Sequence, residues 1–220
     1  MGYFIYNDIK STDKKVIVES MPSITKPPKR YNEINIDGSN RTDIEDLGYV
    51  AYEKPISIGL WESDLDDVYD WLQGGGKLIL SSEIDKYYNA QILEQINYEK
   101  ALRFRKARVV FLVQPFKYAI GEEEVESLAV VNKGNVDSYP LMTVYGSGEV
   151  EIKVNGIKYC TLIIDDYITL DGEIQEAHRD GVLKNRSMTG WFPVLKPGIN
   201  EISYVGNVTK IKTLTRSRWA

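Results

Sequence analysis

Apolar and polar positions alternate along most of this chain with a period of two, the spacing of a strand that buries one face. Phe4-Ile5-Tyr6 and Val16-Ile17-Val18 predict two short strands around an Asn7-Asp8 turn. Met21 to Pro28 is a proline-marked loop, because adjacent Pro27 and Pro28 cannot sit in a central strand. Tyr31 to Ile36 alternates, with Ile34 and Ile36 sharing a face, and Asp37-Gly38-Ser39-Asn40 turns the chain. Ile44 to Val50 reads as a loop or irregular edge. Tyr52 to Leu60 returns to strand, with Ile56 and Ile58 on one side.

One segment has a clear helical period. Ser63 is the expected N-cap and Asp66 closes an imperfect capping box. The acidic first turn suits the positive end of the helix dipole. Leu65, Val68, Tyr69 and Leu72 form the predicted apolar stripe, and Gly74-Gly75-Gly76 ends a helix over 63–73.

Strand patterning then resumes. Lys77 to Ser81 is a strand, and Tyr87 to Glu99 leaves helix and strand open with strand favoured. Ala101 to Val113 is a long strand stopped by Pro115-Phe116. Its continuous apolar run, Val109 to Val113, implies cover on both faces. Gly121-Glu122-Glu123-Glu124 looks like a surface crossover, which predicts domains over 1–122 and 123–220. The second half carries strands at Val125 to Val131, Tyr139 to Tyr145 and Val208 to Leu214. Asn155-Gly156 predicts a two-residue type I′ hairpin pairing Val154 with Ile157, Ile152 with Tyr159 and Val150 with Thr161. That register leaves Cys160 on the other face. Asp171-Gly172 predicts a second two-residue loop, pairing Leu170 with Glu173. Gly190 to Gly206 reads as an edge segment, a Pro197-Gly198 turn and a core strand with Ile199, Ile202 and Tyr204. The fold class is mainly β: an N-terminal β-rich domain with one helix, then a β-sandwich.

Composition narrows the function. With 220 residues, 43% hydrophobic and 27% charged, the chain can build one large or two modest cores. A net charge of -5 argues against nonspecific binding to a DNA backbone. Fifteen tyrosines suit sheets and interfaces alike. A lone cysteine excludes an intrachain disulfide and fits a reducing compartment. No apolar run is long enough to span a membrane, no signal peptide is read, and Tyr6 replaces the Ser or Thr that myristoylation after Met1-Gly2 would need.

The catalytic inventory is thin. Asp165, Asp166, Asp171 and Glu173 lie in turns, where acidic residues are common, and nothing poses two of them across a substrate. His178 is the single histidine and no nucleophile elbow surrounds a serine. One histidine and one cysteine do not make a zinc site, and Gly74-Gly75-Gly76 follows a helix instead of preceding one. The reading is therefore no enzyme, no cofactor and no metal. Charged surfaces offer more. Arg103, Arg105, Lys106 and Arg108 form a basic stripe. Asp64, Asp66, Asp67 and Asp70 form an acidic run that could meet it across a subunit boundary. Arg216, Arg218 and Trp219 have the chemistry of interface anchors.

Taken in order, several segments resemble one family. They are Phe4-Ile5-Tyr6-Asn7-Asp8-Ile9, Ile34 to Asn40, Pro115-Phe116-Lys117-Tyr118, Asn132 to Gly148, Ile163-Ile164-Asp165, Asp171-Gly172-Glu173, Gly190 to Asn200 and the terminal arginines. Together the chain resembles the distal tail proteins of long, noncontractile-tailed (siphovirus) bacteriophages and prophages. The resemblance implies an N-terminal domain that builds a hexameric ring and a galectin-like C-terminal sandwich outside it. The ring would be a hub joining the tail tube to the tail-tip or baseplate complex, with a channel for DNA and the tape-measure protein. Implied partners are further copies of the chain, the tail tube protein, the tape-measure protein and a tail-associated or receptor-binding protein. DNA would pass without specific binding. The implied place is the virion, at the distal end of the tail, after assembly in the host cytoplasm. An alternative is a carbohydrate-binding adhesion module of the tail tip, with Trp191 as sugar platform. Beside Phe192-Pro193, Trp191 is expected instead to point inward as part of the sandwich core.

Overall fold

The structure is a computed structural model that describes residues 2–38, 40–61, 64–101 and 104–220. The chain divides into two compact units, Met1–Lys117 with Ala220, and Tyr118–Trp219.

The first unit carries β1 (Phe4–Tyr6), β2 (Ile9–Lys10), β3 (Val16–Ser20), β4 (Lys29–Asn35), β5 (Thr42–Tyr49) and β6 (Tyr52–Leu60). Then come α1 (Leu65–Trp71), β7 (Gly75–Leu80), β8 (Lys86–Gln91), β9 (Tyr98–Ala101) and β10 (Phe104–Ala119). Its main sheet runs β2-β1-β7-β8-β10-β6-β3, and β9 also pairs with β10. Alternation decides which residues are inside. Val109 lies opposite Ile56 and Ala107 opposite Ile58, so β10 and β6 turn Val109, Phe111, Val113, Ile56 and Ile58 into one core. Their neighbours Val110 and Leu112 remain half-buried.

The helix closes over this face. Phe4 stacks on Trp71 with ring centroids 5.3 Å apart, and Phe111 meets both Phe4 and Tyr6 edge-on. The Trp71 indole N–H donates to the Tyr6 carbonyl at 2.9 Å, which satisfies the polar edge of a buried ring. This anchor rotates the buried stripe from the expected one. Val68, Trp71 and Leu72 are buried, whereas Tyr69 is exposed. The N-cap is Asp64, whose Oδ1 accepts the Asp66 amide at 3.1 Å. Ser63 lies outside the described residues.

Two further expectations are corrected in this unit. Ile44 to Val50 is not a loop: β5 pairs with β4 in a two-stranded hairpin separate from the main sheet. Pro115 does not end its strand, for β10 continues to Ala119. The ladder with β6 stops at Val113, so the missing proline N–H falls beyond it. Pro55 obeys the same logic inside β6, because β3 covers that strand only as far as Ser57.

The second unit holds β11 (Ala129–Asn132), β12 (Leu141–Val154), β13 (Ile157–Asp171), β14 (Glu176–Arg179) and β15 (Val182–Leu183). A 3-10 turn (Asn185–Ser187), β16 (Met188–Gly190), β17 (Gly198–Leu214) and β18 (Arg218–Trp219) follow. The sheet runs β11-β17-β12-β13-β14-β15, with β16 also on β13. The three long strands replace pairs of shorter ones expected from the pattern. Register shifts near Tyr145 to Glu151 let β12 and β17 bend. A Cβ at Gly146 would stand 2.2 Å from the Asn207 carbonyl oxygen, so only glycine permits the approach. Bending folds both halves of the strands onto one core. Met142, Val144, Ile168 and Leu170 pack in the same cluster as Val150, Ile152, Val154 and Leu162.

The Asn155-Gly156 hairpin forms, with positive φ at both residues. Val154 does face Ile157, but a bulge then slips the register. Cys160 takes the place opposite Ile152 that Tyr159 was expected to fill, and Val150 faces Leu162. One extra residue moves Cys160 into the core. The second turn also differs: Asp171 pairs with Glu176 and Leu170 with Ala177, leaving a longer loop. Asp171 Oδ1 holds that loop by accepting the amides of Glu173 and Ile174. In β17, Ile202 is buried as expected, while Ile199 is exposed.

Candidate functional site

The charged surfaces singled out by the sequence lie on two elements of the first unit. On α1, Asp64 is occupied as the cap, Asp67 pairs with Lys14 at 2.5 Å, and Asp70 accepts from Gln73 at 3.3 Å. All three carboxylates remain exposed. On β10, Arg105 and Arg108 are exposed opposite Leu60 and Ser57. Arg103 lies outside the described residues. Arg108 lines a groove of about 600 Å³ whose other charged walls are Glu19, Glu53, Glu94, Glu99 and Lys106. Lys106 is bound to Glu19 at 2.9 Å.

Arg216 and Arg218 sit differently. Arg216 makes a two-pronged pair with Asp171, at 2.6 and 2.9 Å, and also reaches Glu173. Burial raises the Asp171 carboxyl. The Arg216 guanidinium and two loop amides outweigh it and hold the group below the usual carboxylate range. Arg218 is buried; its Nε donates to the Asp137 carbonyl and its guanidinium lies 4.3 Å from the Tyr139 ring centroid. Both arginines are thus engaged within the second unit.

Residues weighed for catalysis do not converge. Asp165 is fully exposed, and Arg179 binds Asp166 and the Asp165 carbonyl. His178 stands on β14 between Thr169 of β13 and Leu183 of β15. Burial pushes the Cys160 thiol up to about 12, slightly opposed by the Lys158 charge, so it is an inert core thiol near neutral pH. Among the described residues no group of three or more His, Cys, Asp or Glu side chains could hold a metal. Among the described residues no helix is long and apolar enough to cross a membrane.

Trp191 reverses its expectation. It is 81% exposed, whereas Pro193 and Leu195 are buried and Phe192 packs against the core. Trp191 lies just past the end of β16, where its amide donates to the Tyr159 carbonyl and strand alternation no longer sets its facing. The exposed apolar residues of β4 and β5 also escaped sequence reading, because alternation marks a face without saying whether anything covers it.

No protein-family model matches the sequence, and neither does any curated protein sequence. Similarity appears among solved structures. The SPP1 Dit protein, described as a paradigm of the hub adsorption apparatus in phages infecting Gram-positive hosts, aligns over 97% of this chain and 98% of its own. Its TM-score is 0.72 at 16% identity. A chain of the phage p2 baseplate, in its activated conformation with Sr, covers 97% of each partner with TM-score 0.51 and 9% identity. Another from the Ca form covers 96% of each with TM-score 0.50 and 10% identity. From end to end, the chain has the fold of a siphovirus distal tail, or Dit, protein.

Proposed function

We propose that this chain is a structural hub of a phage tail, without enzymatic activity, located in the virion at the distal end. Copies would close into a hexameric ring joining the tail tube to the tail-tip or baseplate complex, around a channel for DNA and the tape-measure protein. One observation carries the reading: likeness to a hub adsorption protein over nearly the whole of both chains. The surface chemistry supports it. A ring with rotational symmetry needs two different complementary faces on each copy. The first unit offers the exposed carboxylates of α1, the exposed Arg105 and Arg108, and a hairpin with uncovered Tyr31, Ile34, Ile36, Ile44 and Leu47. Exposed apolar residues gathered on one hairpin fit an interaction surface better than a solvated one. A net charge of -5 suits a conduit from which DNA must slide freely.

The test is the mass of the full chain in solution across a concentration series, together with analysis of purified tails. A closed oligomer, or the chain at the tail tip, is expected. A strict monomer at every concentration that is also absent from tails overturns the reading.

A further inference from the structure

Asn155-Gly156 is the only Asn-Gly step in the chain, and both residues are exposed at the tip of the β12–β13 hairpin. Such a step is prone to attack by its own backbone, because glycine has no side chain to hinder its nitrogen. Here the asparagine is tied down. Its Oδ1 accepts the Glu201 amide at 2.9 Å, and its backbone N–H donates to the Glu201 carbonyl at 2.8 Å. Its Nδ2 donates to Asn200 Oδ1 at 2.9 Å. Asn200 is fully buried and spends its other bonds on the neighbouring turn. It accepts the Lys196 amide at 2.9 Å and donates to the carbonyls of Lys196 and Gly198 at 2.7 and 3.0 Å.

Backbone groups leave one orientation for this pair of amides. The Glu201 N–H demands an acceptor, which sets the oxygen of Asn155; the Lys196 N–H and the two carbonyls do the same for Asn200. The link between them is then a donor on Asn155 facing an acceptor on Asn200. A carboxylate at position 155 has no proton to give, so it would set oxygen against oxygen beside a buried amide. The pair also keeps Asn155 from reacting. Both polar atoms of its side chain are bonded across to β17, whereas attack by Gly156 requires Cγ to swing back onto the Gly156 nitrogen.

We propose that Asn155 is a latent self-modification site, shut by its amide pair with Asn200 and opened when the hairpin tip parts from β17. On opening, the Gly156 nitrogen loses its proton to solvent base and bonds to Asn155 Cγ. The bond from Cγ to Nδ2 breaks, and Nδ2 leaves as ammonia. The cyclic imide then takes up one water and opens to aspartate or isoaspartate at position 155. Water is the only co-reactant. Either product lacks the amide donor, and isoaspartate also adds a methylene to the backbone of a two-residue turn. The tip can no longer re-form the pair, and the turn held by Asn200 loses one of its ties. The chemistry involves this chain and water alone, so its failure leaves the hub reading untouched.

The full chain is incubated at mildly alkaline pH, both folded and in urea. Peptides spanning position 155 are followed by mass, for exchange of NH2 by OH, and by enzymatic methylation of isoaspartate. The side-chain hydrogen bonds must open first, which should hold the folded rate at least ~10-fold below the rate in urea. Asn200→Ala, with folding checked by hydrogen exchange in β12 and β13, should speed conversion in the folded state several-fold. Asn155→Asp tests the consequence without relying on that variant, since Asp-Gly suits the same turn. Its Lys196 amide should exchange faster while β12 and β13 stay protected. The proposal is overturned by equal rates in the folded chain and in urea, or by no conversion at position 155 in either. A folded Asn200→Ala that converts no faster, or an unchanged Lys196 amide in Asn155→Asp, overturns it equally.

Discussion

In the first unit a lysine ammonium is buried with a backbone carbonyl as its hydrogen-bond acceptor; in the second an arginine is locked to a carboxylate on two prongs. Lys54 is 1% exposed, donates to the Ser23 carbonyl at 3.1 Å and lies between the Tyr52 and Tyr88 rings. The nearby carboxylate, Glu83, is already taken by Lys117 and the Tyr88 hydroxyl. Burial therefore lowers the Lys54 pKa, Lys117 adds to this, and the Glu83 charge only opposes it. Arg216 meets the opposite conditions and both partners shift toward charge. Burying an ion is costly unless geometry returns the loss. Lys54 is the case where it is not returned in full. What it secures in exchange is the Met21–Pro28 connection, the chain that leads into the β4–β5 hairpin.

The contrast can be broken most forcefully at the cores. Phe111→Ala should cost about 3–5 kcal/mol, because the ring contacts both Phe4 and Tyr6 in a fully buried site. Hydrogen exchange should then lose protection in the first unit and keep it in the second. Equal loss in both would show one cooperative block and dissolve the comparison. Next comes Arg216→Met, which strands the Asp171 carboxylate and should cost roughly 1.5–3 kcal/mol near neutral pH. Asp171 has a folded pKa below its ordinary 3.8, so its contribution is present above that value and disappears as pH falls through the depressed folded one. Denaturant titrations should show wild type and Arg216→Met converging in acid; a constant gap would mean the pair is not the source.

The smallest effect belongs to Lys54→Met. Here the folded pKa lies below the unfolded 10.5, so unfolding takes up a proton and wild-type stability rises with pH in that window. The burial cost is fully present below the folded pKa and gone above the unfolded one. Methionine removes the cost but also the Ser23 bond. A change within about 1 kcal/mol is expected at neutral pH, shifting against the variant as pH rises toward 10.5. A pH-independent difference would show that the lysine charge plays no part.

How much of this was legible varied with how local the cause was. Strand β6 was read correctly from Tyr52 to Leu60, because alternation and its flanking turns lie within the segment itself. The Asn155-Gly156 turn was equally clear, since its positive φ angles are a property of those residue types. The bulge that buries Cys160 was not, for it is a register shift between β12 and β13 that the turn residues do not announce. The β4–β5 hairpin was half-read: Tyr31 to Ile36 alternates, but Ile44 to Val50 shows its pairing only beside a partner strand. Trp191 gave the wrong direction because a tryptophan next to Phe-Pro looks like core wherever edges are not known.

The sequence by itself determined the period-two character, the single helix, the tight turns and the poverty of catalytic groups, because each rests on neighbours a few residues apart. Tertiary structure alone decided the facing of Trp191, the pairing of Arg216 with Asp171 across 45 positions, and the isolation of Lys54 from a carboxylate. Those depend on which distant strands meet and in what register. A one-residue slip reverses every facing, and no local pattern records it.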